Sequence, residues 1–520
     1  MKNRWLRLCS TAASLALAPA LLASTLPAQA ATGAHLVLAP NIGPPTSTVK
    51  AVGSGYPPAD SVNITFDSTL VAVATSDATG GFSMPFKVPA LAFPGLHQVS
   101  AFDNPGIGAM AIFAVRTDWA ESRFDTSGGG FNQYENVLSP SNVGGLVQKS
   151  AAQVGAFLHS APIYIQGNLV AGFGDGSVRA FNPLNGNQIW SFTTGGPIDG
   201  SPVAVTTRQG AKPCAIVAAS TDGGIYALTG SGRMLWSVAT GAAITGSPIS
   251  FGEKVGKIEH ERLLVVNGDG KILEFDACTG TPIWSEITGN SPVANATPAM
   301  ATGVVLPDGT TRTIIVVCFG GSVAAFDAAT GAQLWAVTGI VPTSSPTVYG
   351  SGTGARILLG EDSTAVELNA ATGQQVWSTS TDGGITGGVA IYRTQIPGTT
   401  RFHVQAVIAG DLNGNLYSFN PKTGAINWKA PGPIGSPAEP LSSVAIANGV
   451  AYVMRQPGPA GSGLDGTLLA IDAGSGTQLF SADEADLNPQ PFPPAPPSIS
   501  DGMVFTGDFG GGVRVYALAG

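Results

Sequence analysis

The stretch Phe326–Trp335, FDAATGAQLW, recurs along the chain in imperfect copies, and no other feature limits the fold so strongly. FNPLNGNQIW ends at Trp190, ALTGSGRMLW at Trp236, FDACTGTPIW at Trp284, LNAATGQQVW at Trp377 and FNPKTGAINW at Trp428. A last copy, IDAGSGTQLF, ends at Phe480. The steps between successive end residues are 46, 48, 51, 42, 51 and 52. A period in this range marks a repeat architecture, in which each unit buries its apolar face against the next. Six of the eight Trp close a copy, so the indole belongs to the repeat itself.

The motif reads as a tight connection between two strands. An apolar residue and an Asp or Asn end one strand, a Thr-Gly turn follows, and a second strand rises to the Trp. Asx and Thr side chains bond the turn's backbone, and the Gly takes a positive φ that other residues resist. That Gly stands in all seven copies: Gly186, Gly232, Gly280, Gly331, Gly373, Gly424 and Gly476. A fully buried Trp removes about 150–250 Å² from water, roughly 4–6 kcal/mol of gross burial energy. One unit alone cannot supply that burial, so each ring is expected to dock on a neighbour.

Seventy Gly, 38 Pro and only 11% charged residues in a 520-residue chain fit an all-β protein dense in turns. Residues 1–30 read as a secretory signal: Lys2, Arg4 and Arg7, an apolar run broken by Pro19, then Ala28-Gln29-Ala30 as a cleavage site. No later stretch approaches the ~20 apolar residues of a membrane helix. Removing the signal takes away three cations and no anions, so the net charge moves from −9 to −12. Such an acidic surface argues against nucleic acid, whose affinity rests on Lys and Arg. Cys9 falls in the signal, and Cys214, Cys278 and Cys318 remain. An odd number leaves at most one bridge, and small buried apolar roles remain open for all three.

Residues 34–116 carry no Trp repeat. Short alternating runs (HLVLAP, SVNITFD, GGFSMPFKVP, HQVSAFD, MAIFAV) separated by turn residues predict a small antiparallel sandwich. The wording VGSGYPPADSVNITFD with SDATGGFSMPFKVP resembles bacterial immunoglobulin-like modules. From Asp118 the text changes, and DWAESRFDTSGGGFNQYENVLSPSNVGGL resembles the lead-in of quinoprotein-type propellers. The A-F-D-x-x-T-G-x-x-x-W repeats resemble the blade motif of the same quinoprotein alcohol dehydrogenase-like family, so the likeness covers residues 117–520. The expected fold is all-β: an eight-bladed propeller of four-stranded antiparallel blades, with seven blades the alternative, behind an Ig-like sandwich. Eight requires Gly145–Ser150 to complete the last blade, with Gln148 in the place of the docking Trp.

Propeller topology sorts candidate residues onto one face. Blade starts carry hydroxyls near the axis: Ser160, Ser201, Ser247, Thr297, Ser345, Thr386, Ser443 and Ser498, with His159 beside the first. They are candidates to hold a small polar ligand, or simply begin strands. Turn tips carry a carboxylate rim: Asp175, Asp222, Asp269, Asp362 (or Glu361), Asp411, Asp465 and Asp508. That rim suits a cation or a basic partner, or merely the Asp-Gly chemistry of tight hairpins. Asp411-Leu-Asn-Gly-Asn begins like a calcium loop, but its twelfth position is Lys422, and the loop fails. The connections Thr206–Pro213, Gly252–Arg262, Val305–Arg312 and Arg393–Arg401 read as long charged loops of the opposite face, while Gln456–Gly463 and Asn488–Pro497 reach the rim face.

The family resemblance implies pyrroloquinoline quinone and calcium at the axial mouth and alcohol oxidation with an Asp base. The chain has no vicinal Cys-Cys pair and no CxxCH haem motif, and only Trp119 among the propeller's Trp is free of a docking position. The preferred expectation is therefore an exported, non-enzymatic binding or scaffolding propeller, secreted or periplasmic, with no required cofactor and no assigned catalytic or metal residue. Its partners would be envelope or extracellular proteins or a small polar ligand. The alternatives are a quinone- and calcium-dependent alcohol or sugar dehydrogenase, and an adhesin-like surface protein acting through the front module.

Overall fold

The computed structural model describes residues 33–104, 106–206, 209–396, 399, 401–430, 439–456, 466–484, 494–508 and 510–519. The signal segment, Asp465 and most of the loops 456–463 and 488–497 lie outside them. Among the described residues there is no α-helix, only a single 3₁₀ turn at Val143–Gly145.

Residues 35–115 form two sheets face to face. The smaller pairs His35–Ala39, Thr48–Ser54 and Phe82–Lys87; the larger runs Ile42–Gly43, Gly108–Val115, Gly95–Phe102, Ser61–Phe66 and Thr69–Thr75. Strict alternation produces this sandwich: in Thr48–Ser54, Val49, Ala51 and Gly53 point inward while Thr48, Lys50 and Val52 face water. Val49, Phe86, Ile64, Phe66, Val99 and Phe113 meet in one core between the sheets.

The rest of the chain builds eight sheets among the described residues, referred to here as blades: each has four antiparallel strands, and the seventh gains Phe131–Asn132 as a fifth, parallel strand. Blades one to seven span Ile163–Thr193, Val203–Ala239, Ile249–Ile287, Ala299–Thr338, Thr347–Ser380, Ala390–Ala430 and Ala445–Glu484. The eighth takes three strands from Ser498–Leu518 and its outermost from Leu146–Gln153, so the two ends of the region share one sheet. The inner two strands are buried on both faces, as in Val203–Val205 and Ala215–Ala219, because each blade is sandwiched between two others. Outer strands such as Gln188–Thr193 have one face in water. Consecutive blades share apolar clusters all the way round, and one cluster joins Tyr452 of the seventh, Phe505 of the eighth and Leu169 of the first.

The docking of the indoles is explicit. Trp190, Trp284, Trp335, Trp377 and Trp428 each donate from Nε1 to a carbonyl just ahead of the next motif's turn glycine, Gly230, Ala328, Ala370, Pro421 and Ala473, at 3.0–3.3 Å. Each ring lies on the next motif's turn glycine. At Gly331 (φ 74°), a Cβ would come within 2.5 Å of the Trp284 ring. Glycine is thus required twice there, for the turn and for the ring above it. Burial is less complete than a fully enclosed ring implies: only Trp377 is buried, at 7% exposure, and the other docked rings are half-buried at the outer rim.

The closing strand corrects one expectation. Outer strands bulge one residue before the Trp, which pairs with the neighbour strand as Trp190 does with Ala180. In the eighth blade the bulge falls between Gln148 and Ser150, which puts Ser150 rather than Gln148 at the indole position. The Ser150 hydroxyl donates to the Pro183 carbonyl at 2.6 Å, making the bond an indole makes elsewhere. Several expected loops are partly strand: Ile249–Val255 and Ile258–Val266 form one long hairpin through Gly252–Arg262, and Ala390–Gln395 of the sixth blade runs into Arg393–Arg401. Cys214 and Cys278 form a disulfide that ties the second blade to the third, while Cys318 is free and buried.

Residues 117–132, ahead of the first blade, become the hub. An innermost strand presents an unpaired edge to the axis, and unpaired buried amides are costly. The hub answers this at the second residue of every inner strand. Tyr164 exchanges backbone bonds with Trp119, Ala204 donates to the Ala120 carbonyl, and Ser250 donates to the Glu121 carboxyl. Met300, Val348, Ile391 and Ile446 donate to the carbonyls of Thr126, Ser127, Gly129 and Gly130. Asn132 then donates from Nδ2 to the Ile499 carbonyl of the eighth blade. The segment visits all eight blades in order and closes the axis from one side.

Candidate functional site: the axial cup

The hub leaves a cup of about 260 Å³ open at the other end of the axis. Its wall is the ring of residues two positions before each inner strand, and the hydroxyls there clasp the blades together. Ser201 N donates to Ser247 Oγ (2.8 Å), Ser247 N to Thr297 Oγ1 (3.3 Å), Thr297 N to Ser345 Oγ (3.0 Å) and Gly388 N to Ser443 Oγ (2.6 Å). Each oxygen accepts an amide of the preceding blade, and its proton stays available for a ligand.

Register sorts the sequence candidates. Ser201, Ser247, Thr297, Ser345 and Ser443 stand at the clasp position, whereas its occupants in the other blades are Ala161, Gly388 and Pro496. Ser160 comes one residue early and Thr386 two early; both still line the cup, and the buried Ser160 Oγ has no partner. Ser498 comes two late. It lies inside its strand, and its hydroxyl donates to the Pro162 carbonyl, away from the cup. The mismatch arises because the approach to these blades carries extra or missing residues that hydroxyl spacing alone does not show.

His159 sits at the lip, stacked on Phe157 with Nδ1 3.1 Å from Asp199 Oδ1. On the floor lies Arg123, which carries no sequence signal of its own. It is buried with φ 58°, donates to the carbonyls of Pro346 (3.2 Å) and Val389 (2.5 Å) and to Thr347 Oγ1, and leaves Nε without a partner. Burial pulls its pKa down to about 9, with Asp125 acting in the opposite sense. Trp119 is buried in the hub core against Phe124, away from the cup's lining.

Four of the rim carboxylates are engaged in their own turns. Burial raises the Asp175 pKa, but bonds from Ser177 and Arg179 outweigh it and hold the group below the usual carboxylate range. Asp222 behaves alike, with burial overcome by bonds from Tyr226 and Gly224. Asp411 is buried and accepts from Asn413, Asn415 and Tyr417; Asp508 accepts from Gly512 and pairs with Arg514. Asp269 and Asp362 are exposed at their turn tips. Among the described residues no three His, Cys, Asp or Glu converge on a metal position.

A planar quinone with a metal needs flat apolar walls and several anionic oxygens. The described lining of the cup holds no Phe, Tyr or Trp, and its only carboxylate, Asp199, already bonds His159. Its volume lies below the range of about 300–1,000 Å³ usual for small-molecule pockets. The described residues of the cup therefore do not fit that cofactor.

A family model described as outer membrane protein assembly factor BamB matches residues 174–338 and 221–482, together more than half of the chain. The chain belongs to that family. Solved structures share the fold at low identity. The quinohemoprotein alcohol dehydrogenase of Comamonas testosteroni is 13% identical, with a TM-score of 0.55 over 78% of this chain and 81% of its own. A europium-containing methanol dehydrogenase is 13% identical, with a TM-score of 0.52 over 77% and 98%. The computationally designed Ika8 protein is 17% identical, with a TM-score of 0.52 over 71% and 99%. None of the curated proteins matches the chain in sequence. These likenesses establish a quinoprotein-like propeller and leave the chemistry to the residues. No helix among the described residues is long and apolar enough to cross a membrane.

Proposed function

We propose that this BamB-family chain is an exported, non-enzymatic binding or scaffolding propeller of the cell envelope or exterior, secreted or periplasmic, behind an Ig-like front module. One observation carries the reading: the hydroxyl oxygens of the axial cup accept amides of the preceding blades as clasps, over a floor formed by the hub. A cup built this way holds a small polar ligand or stiffens a docking platform for envelope proteins. The family's description as an outer membrane protein assembly factor supports the same reading. The rim carboxylates, four of them turned into their own hairpins, are the weaker part of that platform.

A quinone- and calcium-dependent dehydrogenase is the second reading, favoured by the His159–Asp199 pair at the lip, which has the form of an oriented base. Titration of the mature protein with calcium and pyrroloquinoline quinone, followed by dye reduction with alcohols, separates the two. The binding reading expects no quinone-dependent turnover. Saturable quinone binding with turnover contradicts it.

A further inference from the structure

A second polar and aromatic cleft lies apart from the axial cup. It is a cavity of about 620 Å³ where the front sandwich meets the sixth and seventh blades. Pro45, Thr46, Ala90 and Leu91 of the sandwich form one rim, and the far wall carries Phe131, Tyr134, Tyr392, Arg393 and Phe402. Asn136 pins the rim in place by donating to the carbonyls of Ala90 (3.3 Å) and Ala92 (2.9 Å). Clefts between folded units are a habitual place for small-molecule sites, and this volume lies within their usual range.

Arg393 sets the chemistry. Its guanidinium lies over the Phe131 ring, 5.8 Å from the centroid, and Phe131 is locked edge-on against Phe402 at 5.6 Å. The cation is half-buried, yet it forms no ion pair or hydrogen bond with any described residue, and its Nε is fully enclosed without a partner. In the seven blades before the last, Arg179, Arg262, Arg312, Arg356 and Arg455 sit on carboxylates, and Arg233 and Arg401, which do not, are exposed to water. Arg393 sits on no described carboxylate, in a protein of net charge −9. The one carboxyl on the cavity wall, Glu135, accepts from the amides of Val137, Leu138 and Gly502 and is committed to them. A stacked guanidinium is a pre-aimed fork, and a fork of this kind matches a carboxylate in two parallel bonds.

The other walls narrow the class further. Tyr134, Tyr392 and Phe402 are half-buried, with flat faces of the kind that cover the apolar side of a pyranose. Gln133, Gln395 and Asn448 line the same cavity; Gln395 and Asn448 already donate to the Thr399 and Leu138 carbonyls, which leaves their amide oxygens to accept from sugar hydroxyls. A bare phosphate would leave the rings unused, and a neutral sugar would leave the cation unused.

We propose that this cavity binds a carboxylate-bearing sugar, the uronate unit of an acidic polysaccharide, with its carboxylate on Arg393 and its ring against the aromatic wall. Because the sandwich forms one rim, occupancy also fastens the front module to the propeller. The inference stands apart from the axial cup and from any role assigned to it.

Isothermal titration of the full mature chain tests this with galacturonate and trigalacturonate, against galactose, benzoate and inorganic phosphate. Binding of the uronates is expected, with galactose at least roughly tenfold weaker, since a lost charged contact costs that much or more. Arg393→Gln is expected to weaken uronate binding at least about tenfold with an unchanged melting temperature, and Arg393→Lys to fall between. If the glutamine variant fails to fold, the lysine variant decides by the same ordering. The proposal is overturned if the native chain takes no uronate, or if the substitutions leave affinity unchanged. Galactose binding as tightly as galacturonate, or benzoate or phosphate binding more tightly, also overturns it.

Discussion

At the scale of single residues, the repeat works through one contact: an indole resting on the glycine of the next turn. The glycines and the tryptophans were both legible in the sequence because each recurs at a fixed offset. The degree of burial was not, because it depends on how far each outer strand overhangs its neighbour. That difference ranks the substitutions. Trp377→Ala, at the enclosed end of the range, is expected to cost about 3–5 kcal/mol in chemical denaturation. Trp190→Ala, at a half-buried ring, is expected to cost clearly less. Equal losses would mean that ring burial does not govern the contact. Ser150 was missed for a related reason: a bulge is invisible to spacing, and the serine makes by hydroxyl the bond that an indole makes elsewhere.

Buried acids between blades make a second residue-scale prediction. Burial is the main cause that raises Glu274 and Glu367 to about 7, and Asp501 at the hub to about 7 as well. Each folded-state value lies above the unfolded one, so the folded chain holds the extra protons. The stability they contribute is complete below pH ~4.5 and is lost as pH rises through about 7. Thermal melts are therefore expected to fall by a few degrees between pH 5 and pH 8. Glu367→Gln, which keeps an acceptor for the Tyr349 hydroxyl, should flatten part of that slope. A variant with the native slope would remove Glu367 from the account.

Elements tell a different story. Strand order within each blade followed from alternation and turn chemistry, but strand length did not. Gly252–Arg262 reads as a charged loop because the exposed end of the long hairpin formed by Ile249–Val255 and Ile258–Val266 has the composition of a loop. The disulfide was open among three cysteines, since their partners lie on different blades and only the ring brings Cys214 within 5.5 Å (Cα–Cα) of Cys278. Replacing both by Ala is expected to cost about 2–4 kcal/mol, as the bridge closes a long stretch of chain. An unchanged denaturation midpoint would show that the second and third blades hold together without it.

For the molecule as a whole, the sequence carried the repeat and the face of the candidate site, while the hub was beyond it. Residues 117–132 have no periodicity, because a segment that crosses eight inner strands in turn meets a different neighbour every residue or two. The cup's true wall was partly legible: five of the eight chosen hydroxyls stand at the clasp position, and the others miss it through insertions in the approach to their blades. Arg393 and the seam cavity had no sequence signal, since they arise only when the front sandwich is laid against the sixth and seventh blades. The hub holds the architecture together, and backbone hydrogen exchange followed by mass spectrometry reads it without any substitution. Peptides covering 118–132 should exchange as slowly as those containing Ala204, Met300, Val348, Ile391 and Ile446. Exchange of 118–132 on the timescale of an exposed loop, while those inner strands stay protected, would contradict the sealed axis and the single-mouthed cup built on it.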